Sequence, residues 1–131
     1  MDIKKIFKTD PIAEKEGVWV DIDDSSSILI ARVGNPRFKS MLERLTLPYK
    51  SAIRKGTLSQ DVFDKILAKC TAETIVLDWR GFEEDGNSIP YSPEKAYEYL
   101  TEYPDFRDFV ESCSESMELF RCKEDAETEK N

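Results

Sequence analysis

Apolar and polar residues alternate near the N-terminus, which is the pattern of a half-buried β-strand. Val18, Val20 and Ile22 are each separated by one residue, so they would line one face of a strand. Turn-forming residues at 23–26 follow, and a second β-rich run completes a predicted hairpin over 18–33. An isolated two-stranded hairpin is only marginally stable in water. This hairpin must therefore pack on helices or pair with strands elsewhere.

Helical spacing replaces this alternation further along the chain, with clear start and stop signals. Asn35 and Pro36 suit an N-cap and the first helical position, and Gly56 suits a C-cap. Ser59 and Ser92 suit the N-caps of later helices. Apolar stripes after these signals predict four helices, at 35–46, 59–77, 93–102 and 105–121.

The end of the second helix is apolar on every side. Ile75, Val76 and Trp79 lie opposite its main stripe. This segment is therefore either deeply buried within the monomer or in contact with a partner. A strand at 74–79 is the competing local interpretation.

Together these elements predict one α+β domain that is mainly α-helical with one N-terminal β-hairpin. Its 131 residues fit a single domain, which would span 1–122 with helices over 35–121. Residues 1–17 are mixed and polar, and they predict a loosely docked arm. Residues 123–131 are too polar to pack, and we expect a disordered acidic tail there.

Composition narrows the class of protein. The net charge is −8, which argues against nucleic acid as the main partner. No apolar run is long enough for a membrane span, and the first residues lack the apolar centre of a signal peptide. Three cysteines without a CxxC pair fit a reducing compartment. We therefore expect a cytoplasmic protein that binds neither membrane nor nucleic acid.

Charge is unevenly distributed along the chain. Residues 1–56 hold 11 basic and 8 acidic side chains, a net of +3, whereas residues 57–131 hold 8 and 19, a net of −11. Either these are solvated helix faces, or they are complementary surfaces that steer one copy onto another. The second interpretation predicts self-association, with Arg37, Arg44 and Arg54 meeting the acidic C-terminal helices of a neighbouring copy.

No residues form a recognisable catalytic pattern. The chain has no histidine, which removes the commonest general base and the commonest metal ligand. The acidic run at 83–87 lacks the spacing of a calcium loop and is best explained as a solvated turn. We therefore predict no catalytic residue, no cofactor and no metal. A small enzyme that uses carboxylates is the alternative, which titration for a raised carboxylate pKa would reveal.

Aromatic residues are concentrated in the last third of the chain, where helical stripes of them are expected to form core. Trp79 and Tyr99 lie off the main stripes of their predicted helices. Large amphipathic rings often anchor protein interfaces. We therefore predict Trp79 and Tyr99 as protein-contact residues.

Several short sequence motifs, spread over roughly residues 17–121, give the chain a resemblance to a known family. They include Gly34-Asn35-Pro36-Arg37-Phe38, Leu47-Pro48-Tyr49, Ala72-Glu73-Thr74-Ile75-Val76-Leu77-Asp78-Trp79-Arg80-Gly81, Asp85-Gly86, Ile89-Pro90-Tyr91-Ser92-Pro93 and Phe106-Arg107-Asp108-Phe109-Val110. In these motifs and in the order of its secondary-structure elements, the chain resembles the tail assembly chaperones of long-tailed, HK97-like phages.

The resemblance implies a non-catalytic protein made in the infected bacterium. Such a chaperone coats the tape measure protein and recruits tail tube subunits during tail morphogenesis. In many of these phages a longer frameshift product exists, and the polar residues 123–131 are compatible with one. The family supplies no catalytic motif to transfer. The rival hypothesis is an acidic decoy that binds a host factor, but the basic segment at 32–55 argues against it.

Overall fold

The computed structural model of the protein describes residues 1–122, so the tail predicted at 123–131 lies outside the described residues. Helices and strands mix in these residues as an α+β fold, as predicted. The helices are α1 (Ile3–Phe7), α2 (Pro11–Glu16), α3 (Pro36–Thr46), α4 (Lys50–Lys55), α5 (Gln60–Thr74), α6 (Pro93–Glu102) and α7 (Pro104–Glu115). The strands are β1 (Val18–Asp21), β2 (Ser27–Ile30), β3 (Val76–Arg80), β4 (Glu83–Glu84) and β5 (Asn87–Ser88).

Side-chain caps begin the main helices where the sequence predicted them. The Asn35, Ser59 and Ser92 side chains accept hydrogen bonds from backbone N–H groups in the first turns of α3, α5 and α6. The buried Asn35 amide also donates to the Thr74 carbonyl at 3.2 Å. This bond ties the start of α3 to the end of α5. Gly56 ends α4 in the left-handed conformation, as expected of a C-cap glycine.

The N-terminal hairpin is part of a larger sheet, which corrects two predictions. β1 and β2 pair as expected, but β3 adds a third antiparallel strand beside β2. The helix predicted at 59–77 is therefore wrong over its last residues, because α5 ends at Thr74. The prediction of a single hairpin is also wrong, since β4 and β5 form a second, two-residue ladder.

β3 joins the sheet because the hairpin of β1 and β2 alone would leave apolar surface and an unpaired edge exposed. A lone hairpin leaves one apolar face and one edge of β2 uncovered. In β3, Val76 and Trp79 stand opposite Ile30 and Ile28 and continue the buried face of the sheet. The segment after Thr74, which is apolar on every side, is therefore more stable as a strand paired with β2 than as an extension of α5.

The helices cover that buried face and close the core. α5 packs between α3 and α6, and α6 also contacts β3 and α7. The helix predicted at 105–121 is shorter than expected, because α7 ends at Glu115 and a 3-10 turn follows at Glu118–Phe120. Phe120 is fully buried in this turn. No helix among residues 1–122 has both the length and the apolar character needed to cross a membrane.

The N-terminal segment contacts the body through specific bonds. Asp10 N–H donates to the Phe120 carbonyl at 2.8 Å, and Thr9 forms an antiparallel bridge with Arg121. Arg32 pairs with Glu14 through an Nη1–Oε2 distance of 2.7 Å. These bonds hold the backbone of residues 9–14 against the body.

Candidate protein-contact site

Trp79 lies at the centre of an aromatic cluster that β3 places against α6. Its ring stacks on Phe82 with centroids 4.5 Å apart, and Tyr91 meets its edge at 5.1 Å. The indole N–H donates to the Ile89 carbonyl at 2.9 Å. Only 5% of Trp79 is exposed. Trp79 is therefore packed in the core, and its one polar side-chain group is satisfied.

Tyr99 belongs to the same cluster, and the inference that it lies off the inner face of its helix is wrong. Its ring lies 5.6 Å from that of Trp79, and 8% of the residue is exposed. The helical stripe alone could not reveal this, because β3 creates the surface on which Tyr99 packs. Neither ring is an exposed anchor in the monomer. The role of Trp79 and Tyr99 in protein contact stays a prediction, and their burial in the core argues against it.

A small polar network covers the outer edge of this cluster. The Tyr99 hydroxyl donates to Glu84 Oε1 at 2.7 Å, and Lys95 Nζ lies 3.2 Å from the same oxygen. The Tyr99 hydrogen bond, and then that of Lys95, lower the pKa of Glu84. Burial and the bond to Glu84 raise the pKa of Tyr99 to about 12. Glu84 is therefore charged and Tyr99 neutral at neutral pH.

Beside this network lies a shallow, mainly apolar depression that we call the aromatic groove. It runs between the β1–β2 turn, the loop after β3 and the junction of α6 with α7. Tyr103 and Ile22 are 51% and 43% exposed there. The lining residues are Ile22, Ser26, Gly81, Phe82, Glu83, Glu84, Tyr99, Tyr103 and Phe106.

The segments that form the aromatic groove carry mainly acidic side chains. Asp23 and Asp24 follow Ile22 in the turn, and both are exposed. Glu102 and Asp105 flank Tyr103 and are exposed as well. Hydrogen bonds from Ser26 and Ser25 lower the pKa of Asp23, so this carboxylate is ionised at neutral pH. The groove therefore combines accessible rings with negative charge.

A second exposed surface has the opposite charge, and we call it the basic corner. It comprises the last turn of α3, the 3-10 turn at Leu47–Tyr49 and α4. Three apolar side chains there are between 39% and 64% exposed, and four exposed cations surround them. The residues of the basic corner are Arg44, Leu47, Tyr49, Lys50, Ile53, Arg54 and Lys55.

The three predicted contact arginines are all exposed, but only two of them share the basic corner. Arg44 and Arg54 belong to it. Arg37 lies two turns before Arg44 on α3, where its Nη2 donates to the Lys15 carbonyl at 3.0 Å. Arg37 and Arg44 line one shallow depression beside Glu73. Their role in self-association stays a prediction.

Most of the exposed contact candidates were not predicted from the sequence. Leu47, Tyr49 and Ile53 offered one signal, since they are large apolar residues among cations. Phe82 and Tyr103 offered none, because each becomes part of a surface only when β3, α6 and α7 meet. Within residues 1–122 no group of three or more histidine, cysteine or carboxylate side chains is placed to hold a metal ion.

Comparison with known protein families gives a match. Residues 33–131 match the model of a protein family described as "YdaY prophage protein". No curated protein and no solved structure matches the chain.

Proposed function

The chain belongs to the YdaY prophage protein family, and from this premise we propose that it is a non-catalytic tail assembly chaperone. Its partners would be the tape measure protein and, through a longer frameshift product, the major tail tube protein. It would act in the cytoplasm of the bacterial host during tail morphogenesis. Family membership supports a phage protein, and the resemblance to HK97-like tail chaperones supports the finer role.

The observation that carries this proposal is a set of apolar side chains on the N-terminal segment, which we call the apolar arm. Ile3, Phe7 and Ile12 are 63%, 55% and 72% exposed. Ile3 and Phe7 lie four residues apart in α1 and therefore share one side of that helix. Exposed apolar side chains in such proximity suit a protein partner.

The backbone of the arm is held in place while these side chains face solvent. The bonds of Asp10 to Phe120 and of Glu14 to Arg32 fix the segment on either side of Ile12. A partner would therefore meet a largely preformed surface, and binding would cost less conformational entropy. A long apolar tape measure chain, which needs covering before the tube closes round it, suits such a surface.

The test is co-expression with the tape measure protein of the same prophage, followed by affinity capture. We expect the wild type to capture the tape measure protein. The double variant Ile3→Ser, Phe7→Ser should weaken capture by about tenfold or more, because it removes two apolar contacts. The matched control is Lys4→Ser, Lys8→Ser, which truncates two exposed side chains with the same spacing.

Two outcomes would contradict the proposal. One is a folded wild-type protein that captures no tape measure protein. The other is equal loss of capture in the apolar variant and the lysine control. Circular dichroism of each variant checks that the fold is retained.

A further inference from the structure

We propose that the free edge of β1 binds an extended protein segment that alternates apolar and basic side chains and adds a strand to the sheet. β1 lies at one end of the order β1-β2-β3, so β2 pairs with only one of its edges. In recognition by strand addition, main-chain hydrogen bonds supply affinity and alternate side chains supply specificity. The proposal involves neither the apolar arm nor the tape measure protein.

The hydrogen bonds of the hairpin show which backbone groups face the free edge. Ile22 N–H donates to the Ser26 carbonyl at 2.9 Å, where β1 turns towards β2. Bonding direction alternates along an antiparallel strand, so Val20 also bonds to β2, whereas the N–H and C=O groups of Trp19 and Asp21 point away from it. Within the part of the chain that the structure describes, no hydrogen bond uses these outward groups.

The opposite edge of the sheet, along β3, already has hydrogen-bond partners. Trp79 N–H donates to Asp78 Oδ1 at 2.8 Å, and the Val76 carbonyl accepts from the Tyr91 hydroxyl at 2.7 Å. Polar side chains therefore bond directly to the backbone of β3. Among residues 1–122 the backbone of β1 has no such side-chain bonds, so β1 is the edge that remains open for a partner.

The exposure of the valines on β1 also indicates an open edge. Val18 and Val20 face the core side of the sheet beside Ile30 and Ile28, and both isoleucines are fully buried. The two valines are only half-buried, because β1 is an edge strand. An added strand with apolar side chains on its core side would bury them further and be stabilised by that contact.

Charge selects the side chains on the other face of the added strand. Residues 16–31 carry four carboxylates and no basic residue. Asp21 is exposed at the end of β1 and projects from the outer face of the sheet, as Trp19 does. Basic side chains on the outer face of the added strand would meet this opposite charge. Pairing with β1 of a second copy would instead bring like charges together.

The probe is the acetylated peptide Val-Lys-Val-Lys-Val-Lys-Val, which has the expected alternation. Val-Glu-Val-Glu-Val-Glu-Val is the charge control, and isothermal titration calorimetry measures the binding of each to the complete wild-type chain. We expect the lysine peptide to bind at least about tenfold more tightly, because the carboxylates attract it and repel the glutamate peptide. Equal affinities, or no binding of the lysine peptide, would overturn the proposal.

Amide hydrogen exchange followed by NMR locates the bound peptide. At a peptide concentration of about ten times Kd, exchange at Trp19 and Asp21 should slow by about tenfold, since only the unbound fraction exchanges. Val20 is the internal reference, because its N–H already bonds to β2. Binding that leaves exchange at Trp19 and Asp21 unchanged would contradict edge pairing. Protection that rises with protein concentration alone would assign the edge to a second copy and overturn the proposal.

N-methylated peptides test the main-chain bonds on the unaltered protein. One lysine peptide carries N-methyl groups on its lysines and the other on its valines, so the side chains stay the same. Alternate residues of a strand direct their N–H groups to opposite edges. Only one of the two peptides should therefore lose binding, by at least about tenfold. Equal retention or equal loss in both would contradict strand addition.

A protein variant tests the same edge from the other side. Asp21→Pro removes an outward N–H without breaking a bond to β2, which edge strands tolerate. Asp21→Asn is the matched control, because it removes the charge and keeps the N–H. We expect Asp21→Asn to weaken binding about two- to fivefold and Asp21→Pro about tenfold or more beyond that.

Circular dichroism checks that both Asp21 variants are folded. A folded Asp21→Pro variant that binds the lysine peptide as tightly as Asp21→Asn would overturn the proposal. If the proline variant does not fold, the methylated peptides decide the question on the wild type. Capture of the tape measure protein is measured separately, so either proposal can fail alone.

Discussion

The close crossing of Gly81 over the β1–β2 turn provides the sharpest test of the fold around the aromatic groove. Gly81 follows β3 with φ +76°, and a Cβ built there would lie 2.0 Å from the Ser25 carbonyl oxygen. The turn has little freedom to yield. Asp23 Oδ1 accepts from Ser25 N–H at 2.9 Å and from the Ser26 hydroxyl at 2.7 Å. Gly81→Ala must therefore displace backbone.

The expected loss in the free energy of unfolding on Gly81→Ala has two parts. A non-glycine residue in the left-handed region costs about 1–2 kcal/mol. Overpacking against neighbours that cannot move away costs about 1–3 kcal/mol more. Gly56 and Gly86, with φ +70° and +82°, have no atom within 4 Å of a built Cβ. Alanine at these two positions should therefore show only the first part.

Urea denaturation of the three variants measures these free energies of unfolding. We expect Gly81→Ala to lose about 2–5 kcal/mol, which is about 1–3 kcal/mol more than either control. Losses that agree within about 0.5 kcal/mol, the usual effect of a surface substitution, would refute the steric argument.

Three further predictions follow from the core and the N-terminal segment. Trp79→Ala should lower the free energy of unfolding by about 3–5 kcal/mol, because the ring is buried, and a loss below about 1 kcal/mol in urea would contradict this packing. Burial raises the pKa values of Tyr91 and Tyr99 from 10.0 to about 12. Stability from these neutral phenols should be complete below pH 10.0 and lost as the pH rises through about 12, and ultraviolet titration showing both ionised near pH 10 would be inconsistent. Arg32→Ala removes the ion pair with Glu14, so hydrogen exchange should accelerate in residues 9–14, and unchanged protection would show that the pair does not hold the arm.

Local signals in the sequence determined where the helices begin. Asn35, Ser59 and Ser92 cap α3, α5 and α6 in the structure as their positions predicted. The same is true of Gly56 at the end of α4. A cap bonds to a backbone group only two or three residues away. Its effect is therefore decided within one turn of chain, and the sequence carries all of that information.

The strand at 76–80 could not be chosen in the same way. An apolar run bounded by turn residues suits either a buried helix end or a buried strand. Pairing with β2 decides between these two structures. β2 lies more than forty residues earlier in the sequence, and its free edge pairs with β3. Once β3 is in place, Trp79 faces α6 and Tyr99 becomes buried. The predictions that Trp79 and Tyr99 are contact residues rested on helical stripes, and those stripes take no account of the pairing of β3 with β2.

The sequence by itself determined the helix starts, the first hairpin and the separation of positive from negative charge, because each depends on near neighbours or on composition. Tertiary structure alone decided which side chains became accessible together. Ile22, Phe82 and Tyr103 come from three distant segments, and they share the aromatic groove only because β3 joins the sheet and α6 packs on it. Periodicity specifies the face of one element, whereas a surface built from several elements depends on long-range packing.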